Sequence, residues 1–81
     1  MRLPRDLSGR ELARALSQYG YAVTRETGSH MRLTTQQRGE HHVTIPDHRQ
    51  LRVGTLAAIL ADVSMHLGID RAELARRIFE V

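Results

Sequence analysis

His30 and Arg32 are separated by a single residue in the run Gly28-Ser29-His30-Met31-Arg32-Leu33-Thr34. An imidazole that exchanges protons near neutrality, set beside a guanidinium that binds oxyanions, is minimal equipment for moving a proton at a phosphate ester. Gly28 and Ser29 bend the chain just before an alternating segment, so His30 should open a strand with its ring clear of the turn. Strand side chains alternate, which sends Met31 and Leu33 to one face and His30, Arg32 and Thr34 to the other. The first face is core and the second is a candidate site.

His41, His42 and His48 raise the question of a metal. Adjacent histidines on a strand point to opposite faces, the chain has no cysteine, and no helix carries an H-x-x-x-H pair, so we expect neither a metal site nor any other cofactor. His48 is better suited to a second proton carrier or a phosphate contact. Without further support His48 is as readily an exposed loop residue.

The elements that must hold these residues follow from periodicity. Ser8-Gly9-Arg10-Glu11 is an S-x-x-E capping box, and Leu12, Ala15, Leu16 and Tyr19 fall on one stripe of a helix running from about Gly9 to Tyr19, stopped by Gly20. Tyr21 to Glu26 alternates and reads as a first strand, with Thr27-Gly28-Ser29 as the turn and His30 to Thr35 as the second strand. Gln36 to Glu40 is a hairpin loop, and His41 to Ile45 is a third strand ended by Pro46, with Val43 and Ile45 inward and His42 and Thr44 outward. After a polar connection from Asp47 to Val53, Gly54-Thr55 opens a second helix with Leu56, Ile59, Leu60 and Val63 inward, ending near Gly68. This helix places His66 away from the sheet. Asp70-Arg71-Ala72-Glu73 caps a third helix, from Asp70 to Val81, whose Leu74, Ile78 and Phe79 either close the core or pair two copies of the chain as a homodimer. The order α-β-β-β-α plus one helix predicts an α+β fold, an antiparallel three-stranded sheet with helices on one face.

At 81 residues the chain has room for one domain, residues 1–81, with a single modest core. The absence of cysteine excludes disulfides and thiolate catalysis. The longest apolar run, Leu56 to Ala61, is far too short to span a membrane, so we expect a soluble cytoplasmic protein with no membrane partner. All 12 basic residues are arginine, against 9 acids, for a net charge of +3. Arg25, Arg32, Arg38, Arg49 and Arg52 and four of the five histidines crowd the central segment, the composition of a surface that meets phosphate.

Gly20-Tyr21, Arg25 with Gly28-Ser29-His30, Val43-Thr44-Ile45-Pro46 with His48, and Gly54-Thr55-Leu56 with Ile59-Leu60 form an ordered set that resembles the HicA family of toxins over about residues 7–69. Two departures are visible: the lysines usual around these motifs are missing, and residues 70–81 extend beyond the common pattern. The resemblance implies a fold similar to the double-stranded RNA-binding domain, a metal-independent endoribonuclease acting on mRNA through the histidine of the glycine-serine-histidine turn, and a HicB antitoxin.

On that reading the RNA 2′-OH is the nucleophile, and the protein supplies a base, an acid and a cation for the charge on phosphorus. His30 takes the proton-carrying role. Gly28 and Ser29 supply backbone donors, and Arg32, Arg25 and His48 hold phosphate. A HicB-like antitoxin should cover the basic face and meet Arg32 and Arg38 rather than Arg10 or Arg14. The alternative is a non-catalytic RNA-binding module of the same shape, in which His30 only stacks or hydrogen-bonds.

Overall fold

In a computed structural model, which describes residues 3–79, the expected order of elements is present. Residues 1–2 and 80–81, and with them the last two residues expected of the third helix, lie outside the described residues. The elements are α1 (Gly9–Leu16), continued by a 3₁₀ turn (Ser17–Tyr19), β1 (Ala22–Thr27), β2 (His30–Thr35), β3 (His41–Pro46), α2 (Val53–Leu67) and α3 (Arg71–Phe79). The strands form one antiparallel sheet in the order β1-β2-β3, and α1 and α2 pack on the same side of it.

Local chemistry sets several of the helix ends. The Ser8 hydroxyl accepts the Glu11 N–H at 3.0 Å, while the Glu11 carboxylate accepts the Ser8 N–H at 2.8 Å, so two of the free donors at the start of α1 are satisfied. Gly20 ends the first helical segment at φ +82° and Gly68 ends α2 at φ +71°, a left-handed conformation that any Cβ would penalise. Asp70 caps α3 by accepting the Ala72 N–H at 3.0 Å.

The core joins the inward faces. Leu12 and Leu16 of α1, Met31 and Leu33 of β2, Val43 and Ile45 of β3, and Leu56, Leu60 and Val63 of α2 are buried with Tyr21, Leu51 and Leu74. α3 packs against both α2 and α1, with Leu74 and Ala75 buried and Ile78 and Phe79 partly so. Its apolar stripe therefore closes the core within the chain. No described helix is long and apolar enough to cross a membrane.

The first strand departs from plain alternation. Val23 pairs with Leu33 and Arg25 with Arg32, so two steps on β1 match one on β2 and Thr24 is the extra residue of a β-bulge. Strict alternation from buried Tyr21 would turn Arg25 inward. The bulge moves Arg25 to the outward face opposite Arg32, and turns Glu26, opposite Met31, to the helix side.

Candidate active site

The outward face of the sheet is a grid of small and basic residues. Along β2 it carries His30, Arg32 and Thr34; β3 places Pro46, Thr44 and His42 beside them, and β1 places Thr27 and Arg25 on the other side. Because β2 is the central strand, His30 and Arg32 have a neighbour on each flank and yet stay exposed. Arg25 and Arg32 form no ion pair or side-chain hydrogen bond among the described residues, although they stand directly across from each other. Like charges so placed repel, and an anion between them would relieve the repulsion.

Gly28 adopts φ +56° in the turn from β1 to β2, with open space where a Cβ would lie. Ser29 is fixed by its carbonyl, which accepts the Asp47 N–H at 2.6 Å and so joins the turn to the end of β3. His30 follows immediately, paired in register with Thr27 and Pro46. His48 lies two residues beyond Pro46, at the same end of the sheet. It lines a concavity of about 240 Å³ together with Pro46, Leu51, Arg52 and Thr55. Sequence-predicted Gly28, Ser29, His30 and His48 are thus gathered at one end of the sheet, with Arg32 and Arg25 one step inward.

Arg38 stands elsewhere. It takes φ +57° in the β2–β3 hairpin, at the opposite end of the sheet from His30, and its guanidinium lies against Gly68 at the C-terminal end of α2. That end of a helix carries partial negative charge, so the position suits a cation without any ligand. Arg38 is therefore set apart from the Arg25–Arg32 pair.

The other histidines are held by the protein itself. His42 donates from Nε2 to the Glu40 carboxylate at 2.9 Å, and its Nδ1 is 2.7 Å from the Thr34 hydroxyl, which in turn is 2.9 Å from the Thr24 hydroxyl. This chain crosses all three strands on the outward face. Hydrogen bonds from Gln36 and His42 hold the Glu40 carboxyl below its ordinary range. His41 points the opposite way, as expected for its neighbour: its Nε2 donates to Asp62 at 3.1 Å and its Nδ1 is 2.7 Å from the Tyr21 hydroxyl. Burial, and secondarily the charge of Asp62, pushes the Tyr21 hydroxyl up to about 12. Among the described residues no cluster of three or more His, Asp or Glu side chains has the geometry to hold a metal ion.

His66 corrects the expectation that α2 carries it away from the sheet. Its Nε2–H donates to the carbonyls of Gln37 at 2.9 Å and Gly39 at 3.1 Å, and its ring stacks on His41. α2 is long enough to reach past the core to the β2–β3 hairpin, and the hairpin carbonyls need donors. A polar residue near the end of a helix gives no sign of this in the sequence.

A sequence model of the family described as "HicA toxin of bacterial toxin-antitoxin" matches residues 9–65, from the start of α1 nearly to the end of α2. No curated protein and no solved structure matches the chain. The match covers most of the chain, including all three strands, the glycine-serine-histidine turn and the Pro46–Thr55 segment, and the chain belongs to the HicA family of toxins of bacterial toxin-antitoxin systems.

Proposed function

We propose that this toxin is a metal-independent endoribonuclease that cleaves mRNA in the cytoplasm, with His30 as the proton carrier. The observation that supports it best is the exposed outward group of His30, Arg32 and Arg25 beside a glycine turn, on the sheet face that the described helices leave open. In the reaction the ribose 2′-oxygen attacks phosphorus as its proton is removed. The 5′-oxygen leaves as it is protonated, which gives a 2′,3′-cyclic phosphate and a 5′-OH end. His30 serves as base or acid, and Arg32 and Arg25 take up charge that develops on the non-bridging oxygens. His48, with Arg52 in the same concavity, extends the phosphate-binding surface at the His30 end of the sheet. No cofactor is required.

As a toxin of this family the protein has an antitoxin partner. We assign that role to a HicB-like protein that covers the outward sheet face, presenting acidic residues to Arg25 and Arg32 and so blocking the path of RNA.

The test is cleavage of a defined RNA by wild type and His30→Ala in the presence of EDTA, with end-group analysis of the products. Cleavage to cyclic phosphate that is lost in a folded His30→Ala protein supports the reading, and wild-type activity in that variant overturns it. One observation favours the alternative, a non-catalytic RNA-binding module: unlike His41 and His42, His30 has no carboxylate orienting its ring among the described residues. RNA binding without cleavage by wild type would establish it.

A further inference from the structure

Arg10, on the first helix, was expected to matter less to the antitoxin than Arg32 or Arg38, yet its side chain bridges two carboxylates from different strands' ends. Its Nε and Nη2 donate to the two carboxylate oxygens of Asp47 at 3.2 and 3.0 Å, and Nη2 also donates to Glu26 at 2.5 Å. The two acids come from opposite flanks of the site: Glu26 immediately precedes Thr27 at the turn, and Asp47 immediately follows β3. Asp47 is also the residue whose N–H holds the Ser29 carbonyl at 2.6 Å, next to His30.

The base of this clamp is rigid. The Gly9 N–H donates to the His48 carbonyl at 2.9 Å, and a Cβ on Gly9 would be driven into the Pro46 carbonyl. The first turn of α1 is therefore seated directly on the segment from Pro46 to His48, and Arg10 projects from it to both sides of the turn. A planar fork can bridge two carboxylates from a fixed base in a way a flexible ammonium cannot.

We infer that Arg10 is a positioning residue for the Gly28-Ser29-His30 turn, acting through Asp47 and Glu26 on the placement of the His30 ring. The inference rests on the reading of His30 as the proton carrier. The pairs are half exposed, Arg10 at 54%, Glu26 at 50% and Asp47 at 32%, so they contribute little to global stability. What they fix is geometry, to which proton transfer is far more sensitive. Misplacement by about 1 Å can cost on the order of 100-fold in rate.

The experiment compares wild type with Arg10→Ala, Arg10→Lys, Asp47→Ala and the Arg10→Ala/Asp47→Ala double variant. Each is measured for kcat and KM on a short oligoribonucleotide, for melting temperature, and for the ring resonances of His30 by NMR. Asp47→Ala keeps the N–H that holds Ser29 and removes only the anchor for the guanidinium. We expect kcat to fall roughly 10- to 100-fold in Arg10→Ala, with KM within about 2-fold of wild type. The His30 signals should shift or broaden, and Arg10→Lys should recover only part of the loss. The double variant should be scarcely worse than the worse single one, because both remove the same link. An unchanged kcat in a folded Arg10→Ala overturns the inference, and so does a rise in KM alone, which would make Arg10 an RNA contact. If wild type does not cleave RNA, the ribonuclease reading falls by itself. The positioning of the turn is then judged by the His30 resonances: unmoved in Arg10→Ala, they overturn it too.

Discussion

The ring of His66 lies flat on that of His41, with centroids 4.3 Å apart and planes within 10° of parallel, so a helix residue and a strand residue form one stack at the hairpin end of the sheet. Since His66 also donates to the Gln37 and Gly39 carbonyls, His66→Ala should not be neutral. We expect about 1–2 kcal/mol of destabilisation from the lost hydrogen bonds and stacking. Denaturant unfolding measures it, and hydrogen exchange should show the loosening concentrated at residues 36–40.

His30→Ala should leave stability within about 0.5 kcal/mol of wild type, because the side chain is exposed and its removal opens no cavity. RNA cleavage should fall by about 100-fold or more. Arg71→Ala, on exposed helix surface, is the matched control. Unfolding curves and cleavage rates on the same preparations check both halves.

Arg25→Ala and Arg32→Ala should weaken RNA binding while leaving stability unchanged or slightly improved, since each removes one of two like charges set opposite each other. Each should reduce the slope of log affinity against log salt by about one. Arg38→Ala, beside Gly68 and far from the pair, should change that slope much less. A salt titration of all three variants separates them.

The acid limb of stability has identifiable sources. Glu11, Glu40 and Glu73 each titrate below their ordinary value of 4.5: Glu11 through hydrogen bonds with Ser8, Glu40 through Gln36 and His42, and Glu73 through Arg76 and Arg77. A carboxyl with a depressed folded-state pKa contributes stability that is fully present above its unfolded value and is lost as pH falls through the folded one. Melting temperature should therefore decline below about pH 4.5. Glu11→Gln and Glu73→Gln should each flatten part of that decline.

Leu74→Ala should cost about 2–5 kcal/mol, the range for a fully buried leucine. Sedimentation on the same samples tests whether α3 has any part in association. A change of mass in the variant would mean that the helix also pairs copies of the chain.

α1 and β2 were legible because each carries two independent signals. α1 has both its capping box and the stripe of Leu12 and Leu16, and β2 has both the turn at Gly28 and the alternation of Met31 and Leu33. The outward position of His30 and Arg32 followed from that alternation alone. Three features did not follow. The bulge at Thr24 leaves no mark in composition, the reach of His66 depends on where α2 ends in space, and the clamp at Arg10 joins residues up to 37 positions apart. Each is a product of tertiary packing, which local pattern does not encode.

The extra residue at Thr24 also sorts charge. Without the bulge the same residues would alternate strictly, and Arg25 and Glu26 would exchange sides: the acid would stand outward opposite His30, and the arginine would meet Arg10 on the helix side. One irregular step thus sets the charge of both surfaces at once, whereas deleting Thr24 would remove the unpaired residue and leave Arg25 opposite Arg32 and Glu26 opposite Met31. Charge placement in this toxin is a matter of register, so changes that straighten β1 without shortening it, rather than those that replace an arginine, would exchange the charges on its two sides.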